Sequence, residues 1–238
     1  MDLQNMETLL NNNAYPGRGI VIGMSKDGQN AVFAYFIMGR SENSRNRVFR
    51  REGSDIMIYP YDESKVSDPS LIIYAPVRDM GDKIIVTNGD QTDTIRNHLL
   101  LGKSFESAQA ERCFEPDAPN FTPRISGLIE LNGASFTYKL GILKAADEKG
   151  SACNRYVFNY EPLCGIGHFI HTYEHDGSPL PTFKGEPGRI QIPDSMDEFA
   201  NLIWDSLNAD NKISLYVRYV NINTKECSDI LINKHTEM

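Results

Sequence analysis

The sequence predicts an α+β protein with mainly antiparallel sheets, and two features of its pattern predict this class. Candidate strands are apolar, β-branched and aromatic runs, and they occur in pairs joined by short turns. Helical patterns occur in separate blocks between these pairs. Strands arranged in hairpin blocks and separated by helical blocks indicate antiparallel sheets covered by helices.

The first strand candidates form a hairpin. The runs GRGIVIGMS and NAVFAYFIMG are joined by KDGQ, whose Asp-Gly pair is typical of a hairpin turn. Three more strand candidates follow, DIMIYPYD, SLIIYAPV and KIIVTN, with MGDK as the turn between the last two. The polar residues 1–14 before the first strand are expected to be loosely ordered.

The spacing of the apolar residues then becomes helical. The segments DTIRNHLLLG and SFESAQAERCF, which end at Gly102 and Pro116, predict two consecutive helices. A second hairpin follows, in which TPRISGLIEL leads through a type I′ turn at Asn132-Gly133 into SFTYKLGILKA.

The clearest single helix is DSMDEFANLIWDSLN, which begins with the capping-box pair Ser195 and Glu198. Two strands follow it, KISLYVRYVNI and ECSDILIN. We find no internal repeat, low-complexity tract or linker, so residues 1–238 are expected to form one domain.

Composition restricts the classes of partner. The net charge is -8 and the pI is near 5.2, which argues against a general nucleic-acid or anionic-membrane surface. The first ten residues carry two acids and no basic region, and no apolar run reaches the ~18 residues of a membrane span. We therefore expect a soluble, cytoplasmic protein that binds neither nucleic acid nor membrane. The four cysteines form no C-x-x-C pair and are expected to be reduced thiols without structural metal.

One segment of this acidic chain is rich in arginine. Five arginines fall between positions 40 and 51. Because the guanidinium group offers a planar fork of donors, such a cluster is suited to a phosphate or a carboxylate. The alternative, a solvated strand end or loop, remains open on composition alone.

Two further polar stretches predict functional groups. In VTNGDQTDTIRNH a strand ends at Asn88-Gly89 and leads into a helix that starts near Asp90, where the free N–H groups accept a capping side chain or an anion. In FEPDAPNFTPRI, prolines stiffen a loop that carries Glu115 and Asp117. A rigidly held carboxylate suits a general base, although such a loop can equally be a connector.

The histidines of GIGHFIHTYEHDGSPLPTFKGEP do not predict a metal site. In a strand, His168 and His171 face opposite sides, and His171 and His175 lie roughly 13 Å apart at ~3.3 Å per residue. A strand that lines a pocket and leads into a Pro/Gly loop is the alternative we favour. The chain also lacks the G-x-S-x-G, Walker A, H-E-x-x-H and Rossmann G-x-G-x-x-G signatures.

Taken in order, several of these segments resemble the archaeal-type IMP cyclohydrolase (inosinicase) family and its bacterial relatives. The segments are YPGRGIVIG, the Arg-Ser…Asn-Arg segment from Arg40 to Arg47, DPSLIIYA, VTNGDQTDTI, TPRI and HTYEHDGSPLPTFKGEP. They extend over most of residues 15–190, whereas the sequence beyond residue 190 carries little of the resemblance.

The resemblance implies a fold and a reaction. The fold is a four-layer αββα arrangement like that of the N-terminal-nucleophile hydrolases, although Asp2 after Met1 provides no such nucleophile. The reaction is closure of 5-formamidoimidazole-4-carboxamide ribonucleotide to inosine 5′-monophosphate (IMP) with loss of water, without cofactor or metal. A separate protein must supply the formylated substrate, because the chain shows no folate-binding transformylase domain.

The resemblance also implies site residues. Its catalytic arginine, tyrosine and carboxylate fall on Arg47, Tyr74 and Glu115. Contacts to the phosphate, the ribose and the rest of the substrate are expected from Arg40, Arg45, Asn88, Gly89, Asp93, Asn120, Arg124 and Tyr173.

This chain departs from the family pattern at two places. Many members have Asn after the motif tyrosine, where this chain has Ala75. The loop that carries Glu115 is one residue longer before Thr122-Pro123-Arg124, so Asp117 is an alternative base. Two other functions therefore stay open: a cyclase or hydrolase of a related purine-precursor amide, and a non-catalytic protein that binds purine nucleotides. Whether the chain forms a homo-oligomer also stays open.

Overall fold

The computed structural model describes residues 2–65 and 73–235, whose strands form two antiparallel sheets. The spatial order of the first sheet is β11 (Gly188–Gln191), β10 (Ile166–His171), β1 (Arg18–Met24), β2 (Asn30–Met38), β12 (Lys212–Asn221) and β13 (Cys227–Asn233). That of the second is β3 (Val48–Glu52), β4 (Asp55–Tyr59), β5 (Val77–Asp79), β6 (Lys83–Thr87), β7 (Arg124–Asn132), β8 (Ser135–Ala145) and β9 (Cys153–Tyr160).

Short helices connect and cover these sheets. They are α1 (Met6–Asn11), α2 (Glu42–Arg45), α3 (Gln91–Leu100), α4 (Phe105–Ala110) and α5 (Met196–Ser206), with a 3₁₀ turn at Glu63–Lys65. Neighbouring strands of the described residues pair antiparallel throughout both sheets. The predicted α+β class with antiparallel sheets is confirmed.

The two sheets pack face to face. Side chains alternate between the two faces of a strand, so every second residue of β1 and β2 points to the same core. Ile20 and Ile22 of β1 lie there with Tyr35 of β2, and they meet Val86 and Ile129 of the second sheet. This shared apolar core holds the sheets together because it removes both inner faces from water.

Helices cover the two outer faces. On the first sheet, Val21 and Phe36 pack with Phe199 of α5 and Leu10 of α1. On the second sheet, an apolar cluster joins Ile85 and Leu128 to α3 and α4. The layers are therefore helices, sheet, sheet and helices. The segment expected to be loosely ordered includes α1, which packs in the outer core through Leu10.

Most predicted elements are present. The hairpins β1–β2 and β7–β8, the three helices α3, α4 and α5, and the strands β12 and β13 are confirmed. Of the run SLIIYAPV, residues 70–72 lie outside the described residues, residues 73–76 form no strand, and β5 starts only at Val77. Strand β9 was not predicted, because as a half-exposed edge strand its sequence CNRYVFNY mixes polar and aromatic residues.

The turn between β7 and β8 differs from the prediction. Asn132 pairs with Ser135, so the central residues of the turn are Gly133 and Ala134 rather than Asn132 and Gly133. Gly133 has a φ of 58°, whereas Ala134 has no positive φ. The predicted type I′ turn, which requires positive φ at both central positions, is therefore wrong, and Gly at the first central position is typical of type II′.

The start of α5 provides a test of stability. The Ser195 hydroxyl accepts a hydrogen bond from the Glu198 N–H at 3.2 Å, which satisfies one free donor of the first turn. We expect Ser195→Ala to lower the free energy of unfolding by about 1 kcal/mol. Urea denaturation followed by circular dichroism measures this change. Ser228→Ala, at an exposed position of β13, is the control and should change it by less than about 0.5 kcal/mol.

Within residues 2–65 and 73–235, no helix combines the length and the apolar content that crossing a membrane requires.

Candidate active site

A cavity of about 630 Å³ contains the residues predicted as catalytic. It lies where the starts of β1 and β3 approach the turn before α3 and the loop at residues 115–117. Its lining consists of Arg18, Arg47, Tyr74, Asn88, Gly89, Asp90, Glu115, Pro116, Asp117 and Arg124. The structure thus brings the three predicted catalytic residues together with three predicted substrate contacts, at positions distant in sequence.

Arg47 is placed by the segment just before β3. The side chain of Asn46 donates to the backbone oxygen of Asp62 at 2.8 Å and accepts from its N–H at 2.7 Å, which fixes the chain beside Arg47. The guanidinium group of Arg47 makes no hydrogen bond or ion pair to a described residue, and its Nε is buried. Burial and the nearby Arg18 lower the pKa of Arg47. A buried donor without a partner is costly, so this group is available to a ligand.

Arg18 was missed by the sequence reasoning. It opens β1, where its backbone N–H donates to Thr172 Oγ1 at 3.1 Å and its side chain enters the cavity. As with Arg47, its guanidinium group has no hydrogen-bond or ion-pair partner among the described residues, and its Nε is buried. Burial alone would lower its pKa, but the neighbouring Tyr15 and Tyr173 raise it above the ordinary value. The signal in the sequence is a lone cation directly before an apolar strand.

Tyr74 joins the cavity to the turn after β6. Its hydroxyl donates to the backbone oxygen of Asn88 at 2.8 Å and lies 3.5 Å from the hydroxyl of Tyr35. Asn88 is itself held, because its side-chain oxygen accepts from the N–H of Ile125 at 2.8 Å. Burial raises the pKa of Tyr74, although Arg47 acts in the opposite direction. Tyr74 is therefore a neutral phenol whose oxygen can accept a hydrogen bond from a ligand.

The loop that carries Glu115 is held internally. The Glu115 N–H donates to the backbone oxygen of Thr122 at 2.9 Å, and the N–H of Asn120 donates to that of Asp117 at 3.0 Å. Phe121 has a φ of 42°, a left-handed conformation that costs a bulky residue roughly 1–2 kcal/mol. The loop therefore keeps a defined shape, as a base requires.

The Glu115 carboxylate accepts no hydrogen bond from a described residue, although it lines the cavity. Burial raises its pKa, while the nearby Arg18 and Arg124 oppose this rise. A buried carboxylate with a raised pKa binds a proton more readily than an exposed glutamate, which suits a proton acceptor.

Asp117, the alternative base, has a different environment. One of its carboxylate oxygens accepts from the Thr122 N–H at 2.6 Å, and the other accepts from the Thr122 hydroxyl, which also lies 2.6 Å from the hydroxyl of Tyr173. Both carboxylate oxygens of Asp117 are therefore used in hydrogen bonds within the loop. This arrangement favours Glu115 over Asp117 as the proton acceptor.

We expect Asp117→Asn to act on the loop rather than on the reaction. The amide can keep only part of the bonding to Thr122, so the free energy of unfolding should fall by about 1 kcal/mol. The turnover number, measured with the assay described below, should fall less than about tenfold. Loss of nearly all activity without loss of stability would instead identify Asp117 as the base.

The turn before α3 forms another wall of the cavity. Arg124 passes close to Gly89, where an added Cβ would lie 2.5 Å from the guanidinium Nη1, so a larger residue there would displace the end of the Arg124 side chain. The same Nη1 donates to Asp90 Oδ1 and to Gln91 Oε1, each at 2.7 Å. Arg112 donates to Asp90 as well, at 2.6 Å. Asp90 therefore binds two arginines instead of capping α3 with its side chain.

Arg40 and Arg45 do not line the cavity, contrary to their expected role as phosphate contacts beside Arg47. Arg40 pairs with Asp176 on the surface, and its guanidinium lies 5.0 Å from the ring centre of Tyr15. Arg45 donates to the backbone oxygen of Gly39 at 3.0 Å. The arginine cluster is therefore divided: Arg47 lines the cavity, whereas Arg40 and Arg45 have partners outside it.

Three other predicted contacts also lie outside this cavity. Asp93, on α3, forms an ion pair with Arg78 of β5, in which Asp93 Oδ1 lies 3.0 Å from Arg78 Nε. Asn120 accepts from the Leu180 N–H at 3.1 Å and lines a separate cavity of about 790 Å³. Tyr173 is buried beneath the Glu115 loop. The variant position Ala75 is buried and is not part of the cavity lining.

The histidines of β10 are packed among aromatic side chains. The ring centre of His168 lies 3.7 Å from that of Tyr160, and its Nδ1 lies 2.7 Å from the hydroxyl of Tyr138. The strand was expected to line a pocket, and its first residue, Ile166, lines a separate cavity of about 590 Å³, whereas its histidines do not line the cavity that holds Glu115. The described residues contain no group of three or more His, Cys, Asp or Glu arranged to hold a metal ion.

Comparison with known proteins adds information that the geometry does not provide. Residues 15–225 match the family described as "IMP cyclohydrolase-like protein". The IMP cyclohydrolase of Methanococcus aeolicus is 30% identical over 165 residues, which are 67% of this chain and 74% of the relative. That of Methanosphaera stadtmanae is 30% identical over 166 residues, 68% of this chain and 75% of the relative. That of Methanopyrus kandleri is 32% identical over 116 residues, 47% of this chain and 57% of the relative.

Proposed function

This chain belongs to the IMP cyclohydrolase-like family, and from that premise we propose that it is an IMP cyclohydrolase. Its substrate is 5-formamidoimidazole-4-carboxamide ribonucleotide, which it closes to IMP with loss of water in purine biosynthesis. One observation carries the proposal: Arg47, Tyr74 and Glu115, which the family resemblance selects from three distant segments, line a single cavity.

The reaction joins two groups on one imidazole ring. The carboxamide nitrogen attacks the formyl carbon, so a C–N bond forms and the formyl oxygen becomes a hydroxyl. The hydroxyl then leaves as water, and a C=N bond forms. The barrier comes from the poor amide nucleophile and from negative charge on oxygen, so a base, oxygen-directed donors and close placement supply the catalysis.

Glu115 is the base in this proposal. Its carboxylate lines the cavity and accepts no hydrogen bond from residues 2–65 or 73–235, so it can take a proton from the carboxamide nitrogen. Burial raises its pKa, which increases its affinity for that proton. The same group can return this proton to the formyl oxygen, which becomes the hydroxyl that later leaves as water.

Arg47 and Tyr74 hold the reacting groups. The guanidinium of Arg47 has no hydrogen-bond or ion-pair partner among the described residues, so it can donate to the formyl oxygen as charge develops there. The Tyr74 hydroxyl already donates to Asn88, which leaves its oxygen to accept an N–H of the substrate. A role of Tyr74 as donor to the oxyanion would require release of Asn88.

The nucleotide part of the substrate is assigned to the turn before α3. Asn88, Gly89 and Arg124 line the same cavity and offer backbone and guanidinium donors to the ribose and phosphate. Because Asp90 lies beside Arg124, the phosphate would share this cation with a carboxylate. Arg40, Arg45, Asp93 and Asn120 are left out of this proposed site, and Tyr173 acts only as support for the loop.

The finer features of the fold form part of this proposal. Helices outside two packed sheets agree with the αββα arrangement of the N-terminal-nucleophile hydrolases, but the mechanism proposed here uses Glu115 and no terminal nucleophile. A cytoplasmic location is proposed because purine biosynthesis takes place there. No nucleic acid or oligomeric partner enters the mechanism.

The proposal is tested by incubating the purified chain with the formylated precursor. Loss of water is followed by mass spectrometry and by the change in absorbance as the purine ring forms. We expect IMP to accumulate in proportion to enzyme concentration. Binding of IMP without any turnover, at high enzyme concentration, would support the non-catalytic nucleotide-binding protein instead, and turnover of only a related amide would support the other alternative.

A further inference from the structure

We propose that Arg18 binds the carboxamide oxygen of the precursor and stabilises the negative charge that forms there when Glu115 removes the N–H proton. The inference rests on the proposed function and adds a catalytic residue to it. It also gives the two arginines of the cavity different oxygens: Arg18 the carboxamide oxygen, and Arg47 the formyl oxygen.

The environment of Arg18 calls for such a ligand. Its guanidinium lies in the cavity, has no hydrogen-bond or ion-pair partner among residues 2–65 and 73–235, and has a buried Nε. Arg47 has the same unpaired environment in the same cavity. These two guanidinium groups have no partner in the described part of the chain, so together they offer donors that a ligand can satisfy. The substrate brings two carbonyl oxygens into the reaction, one for each fork.

Position decides which arginine takes which oxygen. Arg18 opens β1, which lies between β10 and β2 and is therefore held on both sides by the ladder. The backbone at Arg18 is also joined to the loop of Glu115: its N–H donates to Thr172 Oγ1, and the hydroxyl of the next residue, Tyr173, lies 2.6 Å from the Thr122 hydroxyl. The backbone oxygen of Thr122 accepts from the Glu115 N–H at 2.9 Å. Because Arg18 shares this support with the base, we assign it to the group that the base deprotonates, which is the carboxamide.

In the proposed step, loss of the carboxamide proton precedes formation of the C–N bond. Glu115 takes one proton from the carboxamide nitrogen, and the electron pair spreads onto the carboxamide oxygen, where Arg18 donates to it. The nitrogen then forms the C–N bond to the formyl carbon, and the electrons of the formyl C=O move to its oxygen, which takes the proton from Glu115. The hydroxyl leaves as water with one further proton, supplied by the formamido N–H as the C=N bond forms.

The contribution of Arg18 follows from the weakness of an amide as nucleophile. Its nitrogen lone pair is shared with the carbonyl, and deprotonation makes it reactive only if the charge on oxygen is supported. A planar fork fixed on a strand supports that charge without reorganisation, whereas water in a partly closed cavity would have to reorient.

Binding of two unreactive nucleotides isolates the carboxamide contact. The first probe is 5-aminoimidazole-4-carboxamide ribonucleotide, and the second is 5-aminoimidazole ribonucleotide, which lacks only the carboxamide. We expect Arg18→Met to weaken binding of the first probe about tenfold and to leave the second nearly unchanged, as measured by calorimetry. Arg51→Met is the matched control, because Arg51 pairs with Asp229 on the surface and should affect neither probe.

Kinetics distinguish a catalytic contact from a structural one. Arg18→Met should lower the turnover number about thirtyfold, and added guanidinium ion should restore part of it. If Arg18 acted only by holding Glu115, the variant would instead shift the acidic limb of the pH–rate profile and keep its plateau. If Arg18→Met misfolds, Arg18→Lys provides the same comparison with the charge retained, and its binding of the first probe should still be weaker than that of the parent protein.

Several results would overturn the inference. Equal weakening of both probes would assign Arg18 to the ribose phosphate, which the two nucleotides share. Unchanged binding and turnover would give it no contact at all. The proposed function is judged separately, by turnover of the unsubstituted protein: if that fails, the two-probe comparison still tests the carboxamide contact.

Discussion

Replacement of Glu115 by glutamine is expected to lower the turnover number about a thousandfold while leaving the affinity for IMP within about threefold of the parent value. Glutamine keeps the shape of glutamate and its place in the cavity, but its amide cannot take a proton from the substrate. The change removes only the proton acceptor, so ground-state binding should persist. Single-turnover kinetics with the formylated precursor and equilibrium binding of IMP measure the two quantities.

The pH dependence of the parent enzyme belongs to the same prediction. A base must be ionised, so the rate should fall as the pH falls through the pKa of Glu115. The ordinary pKa of a glutamate is about 4.3. Because burial raises the pKa of Glu115, the acidic limb of the profile should lie at a higher pH than this value. The residual activity of Glu115→Gln should show no such limb.

The control for Glu115→Gln is Glu161→Gln, at an exposed position that makes no hydrogen bond in the described part of the chain. It should keep normal rates. If Glu115→Gln turned over at nearly the parent rate, while Asp117→Asn were inactive, the base would be Asp117. Near-normal rates in both variants would show that neither carboxylate is the base. Tyr74 or water would then accept the proton, and the loop would have only a structural role.

Arg47→Lys is expected to lower the turnover number about a hundredfold or more, although the positive charge is kept. A lysine is a point donor on a flexible chain and cannot reproduce a planar fork directed at the formyl oxygen. Removing one preorganised donor from an oxyanion site typically costs ~3 kcal/mol of transition-state stabilisation. The ratio of kcat/KM between variant and parent gives this cost directly.

The stability of Arg47→Lys should move differently from its activity. The guanidinium of Arg47 forms no hydrogen bond to a described residue, and its Nε is buried without a partner there, so its loss removes no hydrogen bond from this part of the chain. We therefore expect thermal unfolding at an unchanged or slightly higher temperature, as is common where function retains an unfavourable group. Arg51→Lys, in a surface ion pair, is the control and should keep both activity and stability. A large fall in the melting temperature of Arg47→Lys would show that Arg47 holds the fold.

The predicted elements succeeded where their signals are local. The hairpin of β1 and β2 depends on an Asp-Gly turn between apolar runs, and α5 depends on Ser195 and Glu198 only three residues apart. Both interactions join residues that are close in sequence, so a short segment contains all the residues that determine them. The type of the turn at Gly133 was wrong because the strand register, which decides the central residues, depends on pairing along all of β7 and β8.

The site divides in the same way. The sequence alone identified Arg47, Tyr74 and Glu115 through the family motifs. It also predicted the α+β class, because the spacing of apolar residues can be read directly from the chain. Only the tertiary structure separated Arg47 from Arg40 and added Arg18 to the same cavity. Whether a charged side chain meets a surface partner or stays unpaired in a cavity depends on the packing of two sheets, which joins segments that no local pattern connects.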